Sequence, residues 1–132
     1  SPPAPPPPPA AAAAPEPPPP LRTLARLRYR CFAGARRVPT GARQVAVRRG
    51  VRLVCRGSTV PALRRARLEV QRLVKGRWTR VGTASTTATG RFGFAVRLRT
   101  PGRWTIRAAV AATPSRAASA GPRARLMVAR RR

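Results

Sequence analysis

The sequence predicts an all-β sandwich of about seven short strands. Three observations predict it: apolar and polar residues alternate with period two over much of the chain, turn signals interrupt the alternation every 8 to 15 residues, and no helical period is sustained. Alternation places every second side chain on one face of a strand, so each such segment has one face for a core and one for water.

In chain order, the first segment sets Leu27, Tyr29 and Cys31 against Arg26, Arg28 and Arg30. A short strand is expected at Val45 to Val47. The next segment sets Val51, Leu53 and Cys55 against Arg52, Val54 and Arg56, so both cysteines fall on the apolar phase. Ala66 to Leu73 reads as a strand; a helix competes there, since Leu63, Ala66, Val70 and Leu73 also fit a 3.6-residue spacing. A further strand is expected over Trp78 to Thr86. The clearest alternation is Phe92, Phe94, Val96 and Leu98 against Arg91, Arg97 and Arg99, followed by Trp104, Ile106, Ala108 and Val110 against Arg103 and Arg107. Thr100-Pro101-Gly102 lies between them, and the pair reads as an antiparallel hairpin with a basic outer face. Arg123 to Val128 closes the series. Gly50, Gly57-Ser58, Gly76, Gly90 and Gly121-Pro122 punctuate it.

The organisation expected is a stalk over 1–23, a sandwich over 24–128 and a basic tail over 129–132. Most of the chain's 17 prolines sit in its first twenty residues, SPPAPPPPPAAAAAPEPPPP, which favour extended polyproline II over a packed core. At full extension such a spacer reaches roughly 60 Å. The longest aliphatic run, Ala10 to Ala14, is too short to cross a bilayer, so no transmembrane segment is expected. The chain opens on Ser1 rather than Met, and the expectation is a segment that has lost an export signal or belongs with neighbouring domains.

Charge is the extreme feature. The formal net charge is +27; Lys75 is the one lysine, Glu16 and Glu69 are the only acids, and His and Asp are absent. A GC-rich coding bias accounts for much of the preference for Arg over Lys but not for the missing acids. Unpaired arginines belong at the surface with their stems on apolar ground, where their summed potential draws polyanions. Candidate anion contacts are Arg91, Arg97, Arg99, Arg103 and Arg107, on the outer face of the two clearest strands. Cys31 and Cys55 are a candidate disulfide if the chain is exported, with two buried free thiols as the alternative.

Catalysis is disfavoured by what the folded part lacks. General acid-base chemistry wants His or a tuned carboxylate, a serine triad would have neither base nor orienter, and arginine is too basic to accept a proton. No catalytic, cofactor or metal site is expected; two cysteines without His or Asp make no zinc site. The tetrapeptide Gly-Arg-Trp-Thr occurs at Gly76 to Thr79 and again at Gly102 to Thr105. Each Trp reads as a strand-opening core cap, with stacking on bases or sugars as the alternative.

Pro61-Ala62-Leu63-Arg64-Arg65-Ala66-Arg67-Leu68-Glu69-Val70, then Gly76-Arg77-Trp78, then Thr86-Thr87-Ala88-Thr89-Gly90-Arg91-Phe92-Gly93-Phe94, then Gly102-Arg103-Trp104-Thr105-Ile106 follow in an order that carries a resemblance. It resembles the small sandwich repeats of bacterial surface and secreted proteins known as immunoglobulin-like or carboxypeptidase-regulatory-like domains. The family places Gly where Arg65 stands and Asp where Thr87 stands. The resemblance implies an immunoglobulin-like antiparallel sandwich that is secreted or at the cell surface, serving as a spacer, adhesive unit or accessory to a larger chain. Expected partners are anionic cell-wall or surface polymers. The alternative is a basic nucleic-acid-binding protein, without sequence specificity because no helix-turn-helix, zinc-finger or RNA-recognition signature is present.

Overall fold

The computed structural model describes residues 2–7 and 22–130. Most of the expected stalk, and Arg131 and Arg132 of the expected tail, lie outside the described residues. Ten strands follow in order: β1 (Arg26–Ala33), β2 (Arg36–Val38), β3 (Gln44–Val47), β4 (Arg52–Val60), β5 (Arg67–Val74), β6 (Arg77–Ser85), β7 (Arg91–Arg97), β8 (Gly102–Val110), β9 (Ser119–Ala120) and β10 (Ala124–Val128). The eight expected strands are all present, and Ala66 to Leu73 falls in strand rather than helix. The short β2 and β9 were not foreseen. Three residues and two are too few for alternation to register.

The strands form two packed sheets, one ordered β2-β1-β4-β7 and one ordered β3-β10-β8-β5-β6, with β9 beside β8. Pairing is antiparallel throughout except for β3, which runs parallel to β10 with Val45 opposite Leu126. The core fills the space between the sheets. Leu27, Tyr29 and Cys31 of β1, Leu53 and Cys55 of β4, and Phe92, Phe94 and Val96 of β7 come from one side. Leu68 and Val70 of β5, Trp104, Ile106 and Ala108 of β8, and Leu126 and Val128 of β10 come from the other. Burying each large apolar side chain contributes about 1.5–3 kcal/mol.

The expected hairpin between the Phe92 and Trp104 segments is corrected by the topology. β7 pairs only with β4, while β8 pairs with β5, β9 and β10 in the opposite sheet. The Thr100-Pro101-Gly102 connection is therefore an arch over the end of the sandwich. Leu98, wholly buried, is still tied to the first sheet by its N–H to Val51 O at 2.9 Å. Alternation reveals which side chains face inward. Two strands facing each other across a core show the same pattern as two lying side by side.

Cys31 and Cys55 stand directly opposite each other across β1 and β4 and are joined by a disulfide. Both are fully buried. Closing a loop with a sequence separation of 24 contributes roughly 3 kcal/mol by the chain-entropy argument.

Tyr29 ties the sheets together. Its ring meets Phe92 and Phe94 edge-on at centroid distances of 6.1 and 5.7 Å. Its hydroxyl crosses the core, accepting from Ala108 N–H at 3.3 Å and donating to Pro122 O. The buried hydroxyls of Thr59 and Thr86 are likewise satisfied: Thr59 Oγ1 accepts from Leu63 N–H at 2.7 Å, and Thr86 Oγ1 accepts from Ala66 N–H at 2.7 Å and donates to Leu63 O at 2.6 Å.

Both turn positions at which the chain departs from the resembled family have a structural counterpart. Thr87 Oγ1 accepts from the N–H of Thr89 at 3.3 Å and of Arg91 at 3.2 Å, the bonds an Asp side chain makes in such a turn. Arg65 adopts φ +47°, the left-handed conformation that glycine takes at no steric cost. Arg65→Gly is accordingly expected to raise stability by about 0.5–1 kcal/mol after the added unfolded-state entropy is subtracted. A shift of the urea midpoint to higher concentration with an unchanged slope is the readout; a fall refutes it.

Candidate anion-binding surfaces

The two outer faces of the sandwich differ because one carries arginine on seven of the thirteen outward positions of β1, β4 and β7 and no acid there. On the β2-β1-β4-β7 sheet, β1 sends out Arg26, Arg28 and Arg30, β4 sends out Arg52 and Arg56, and β7 sends out Arg91 and Arg97; all are exposed. Along a strand these outward positions repeat about every 6.7 Å, and neighbouring strands lie about 4.8 Å apart. Register brings several cations face to face: Arg30 is opposite Arg56, and Arg52 is opposite Arg97. Between them stand Ser58, Gly93 and Ala95 together with the apolar Phe32, Val54 and Val60, of which Phe32 and Val60 are exposed. The result is a cationic lattice with no acid on it.

At one end of the lattice, Arg97 and Arg99 join Arg49 around Gly50, lining a recess of about 510 Å³. Arg49 donates its Nε to Arg99 O at 2.7 Å, and Arg97 donates Nη1 to Gly50 O at 3.3 Å. These backbone contacts anchor two of the guanidinium groups and leave their remaining N–H groups free for an external acceptor.

The five expected contact residues do not share one face. Arg91 and Arg97 belong to the lattice and Arg99 to its end, whereas Arg103 and Arg107 are on β8 and project from the opposite side of the molecule. This follows from the arch between β7 and β8. Residues missed by the sequence reading are Arg28, Arg30, Arg52 and Arg56, the centre of the lattice. Their alternation with Leu27, Tyr29, Leu53 and Cys55 was visible, but which strands adjoin was not.

The β3-β10-β8-β5-β6 sheet has a mixed outer face. It carries Glu69, the one acid among the described residues, with Gln71 donating to its Oε1 at 3.2 Å. Arg107 donates Nε to Gln71 Oε1 at 2.9 Å, and its guanidinium carbon lies 3.8 Å from the centroid of the Trp78 ring. Arg123 approaches the same ring at 5.1 Å. Burial, and after it the nearby Arg123 cation, push Arg107 below the usual arginine value.

Trp104 is a core residue as expected, donating Nε1 to Thr100 O at 2.8 Å. Trp78 is not; it stands half-buried on the outer face. Its in-phase neighbour is Arg80, and only past the register shift opposite Val70 and Gln71 does β6 turn Gly82 and Ala84 toward the core. Arg72, on the core-facing phase of β5, covers Trp104 with its guanidinium carbon 3.5 Å from the ring centroid. Burial lowers its pKa.

Among the described residues no group of three or more His, Cys, Asp or Glu comes together, and no helix is long and apolar enough to cross a membrane. No family model matches the chain, and neither the curated proteins nor the solved structures yield a match.

Proposed function

We propose that this chain is a non-enzymatic, extracellular sandwich module, a spacer or adhesive unit of a larger assembly, whose lattice face adheres to anionic polymers such as those of cell walls and surfaces. The observation that carries this reading is the acid-free arginine lattice over β1, β4 and β7. A bound polyanion offsets the mutual repulsion of these cations and releases its own counterions, which supplies the driving force.

Two further features support the extracellular module. A buried disulfide suits an oxidising compartment. Leaving aside the edge strands β2 and β3, the order of β1, β4 and β7 in one sheet and of β10, β8, β5 and β6 in the other is similar to that of strands A, B, E and G, F, C, C′ in an immunoglobulin sandwich, which supports this reading. The disulfide departs from it by joining neighbouring strands of one sheet rather than spanning the two.

Nucleic-acid binding without sequence specificity is the alternative, since the same lattice attracts any phosphate backbone; a broad sheet face does not enter a groove to read base edges. On this reading, affinity for a polyphosphate or sulfated polymer falls linearly with log salt and is blind to oligonucleotide sequence. Replacing Arg28, Arg30 and Arg56 together by Gln lowers the salt slope by about 3. Salt-independent binding, or a strong preference for one oligonucleotide, overturns the proposal.

A further inference from the structure

The mixed face holds a concavity of its own. A concave groove of about 670 Å³ opens between β5, β8, β9 and the 111–118 connection. Its lining includes the small residues Ala109, Ala118 and Ala120, the acid Glu69 opposite Ala109, and four guanidinium groups, those of Arg67, Arg80, Arg107 and Arg116. The volume is in the range that encloses a small ligand. Glu69 is the only acid on the rim, so the lining carries a formal excess of three positive charges.

Two of the four cations are held in place before any ligand arrives. Arg107 is fixed on one side by Gln71 Oε1 and on the other by the face of Trp78. Arg116 is anchored through Nη2 to Ala111 O at 3.2 Å, while its Nε is buried without a hydrogen-bond partner.

We propose that this groove is a discrete binding site for a compact oligophosphate, a ligand whose clustered phosphate groups engage several rim guanidinium groups at once. Guanidinium forks match phosphate oxygens in pairs. One phosphate is too small to reach all four arginines across such a volume, whereas three linked phosphates offer acceptors along its length. The site faces away from the lattice and is independent of the module reading: lattice binding is diffuse and salt-labile, groove binding saturable.

The test is calorimetric titration of the intact chain with inorganic tripolyphosphate at about 0.3 M salt, where the screening length is short enough to suppress lattice binding. One ligand binds per chain, and orthophosphate binds about tenfold more weakly or less. Arg80→Gln, Arg107→Gln and Arg116→Gln each weaken tripolyphosphate by about tenfold, Glu69→Gln tightens it, and the lattice variants Arg30→Gln and Arg56→Gln stay within about twofold of the parent. Arg80 is exposed on an edge strand, so its variant keeps the fold whatever becomes of the Arg107 variant. No saturable binding, more than one ligand per chain, equal affinity for orthophosphate, or equal losses from groove and lattice variants overturns the proposal.

Discussion

Gly57→Ala is expected to destabilise the domain by about 3 to 5 kcal/mol, a large fraction of the 5–15 kcal/mol usual for a domain. Gly57 sits opposite Tyr29 in the pairing of β1 with β4. A β-carbon there would stand 1.8 Å from Arg28 O and 2.7 Å from the α-carbon of Tyr29. Both obstacles are backbone, so no side chain can swing away; the strands must part at the middle of the sheet, beside the disulfide and beneath the aromatic cluster. Gly93→Ala is the control. It lies on the neighbouring strand β7, where a β-carbon meets Cys55 O at an ordinary 3.5 Å, and its effect is expected to be below about 1 kcal/mol. Urea unfolding of the two variants beside the parent provides the comparison. Equal effects would mean that the close approach of β1 to Gly57 is not what this position requires.

Gly57 also marks where sequence reasoning reaches its limit. As a sequence feature it read as punctuation between strands; in the structure it lies inside β4, required by a neighbour 28 positions earlier. The same division recurs elsewhere. Alternation is a local property, so the inward faces of β1, β4, β7 and β8 were legible residue by residue, as was the placing of both cysteines toward the core. Adjacency is not local. Nothing in Phe92 to Val110 distinguishes a hairpin from an arch, and that one ambiguity split the expected arginine surface between two sides of the molecule. The twin Gly-Arg-Trp-Thr segments show how narrow the margin is. Trp104 is followed in phase by Ile106, Ala108 and Val110 and enters the core, while Trp78 is followed in phase by Arg80 and stays outside. That signal was present in the sequence at Thr79-Arg80-Val81, where the alternation breaks. The groove, by contrast, draws Arg67 from β5, Arg80 from β6, Arg107 from β8 and Arg116 from a connection, and no spacing along the chain announces such a set.

Stability is expected to fall steeply in alkali, through the single tyrosine. Burial pushes Tyr29 from 10.0 up to about 12, outweighing the opposing effects of the Ala108 hydrogen bond and the Arg107 cation. The charged form of tyrosine is the deprotonated one, so the folded state holds its proton over a range in which the unfolded state has lost it. Between pH 10 and 12 the unfolded chain thus binds fewer protons than the native one, and stability declines with pH. The contribution is complete below pH 10 and is lost as the pH rises through 12, amounting to about 3 kcal/mol. Because the chain has one tyrosine, its phenolate absorbance reports this group alone. Native protein should titrate near 12 and urea-unfolded protein near 10. Tyr29→Phe should remove the decline that this group causes over the interval. It should also cost about 1–3 kcal/mol at neutral pH, because Ala108 N–H and Pro122 O lose the hydroxyl that joins the two sheets. Should the native phenolate titrate near 10 instead, the hydroxyl is open to water and the bridge between the sheets is not closed in solution.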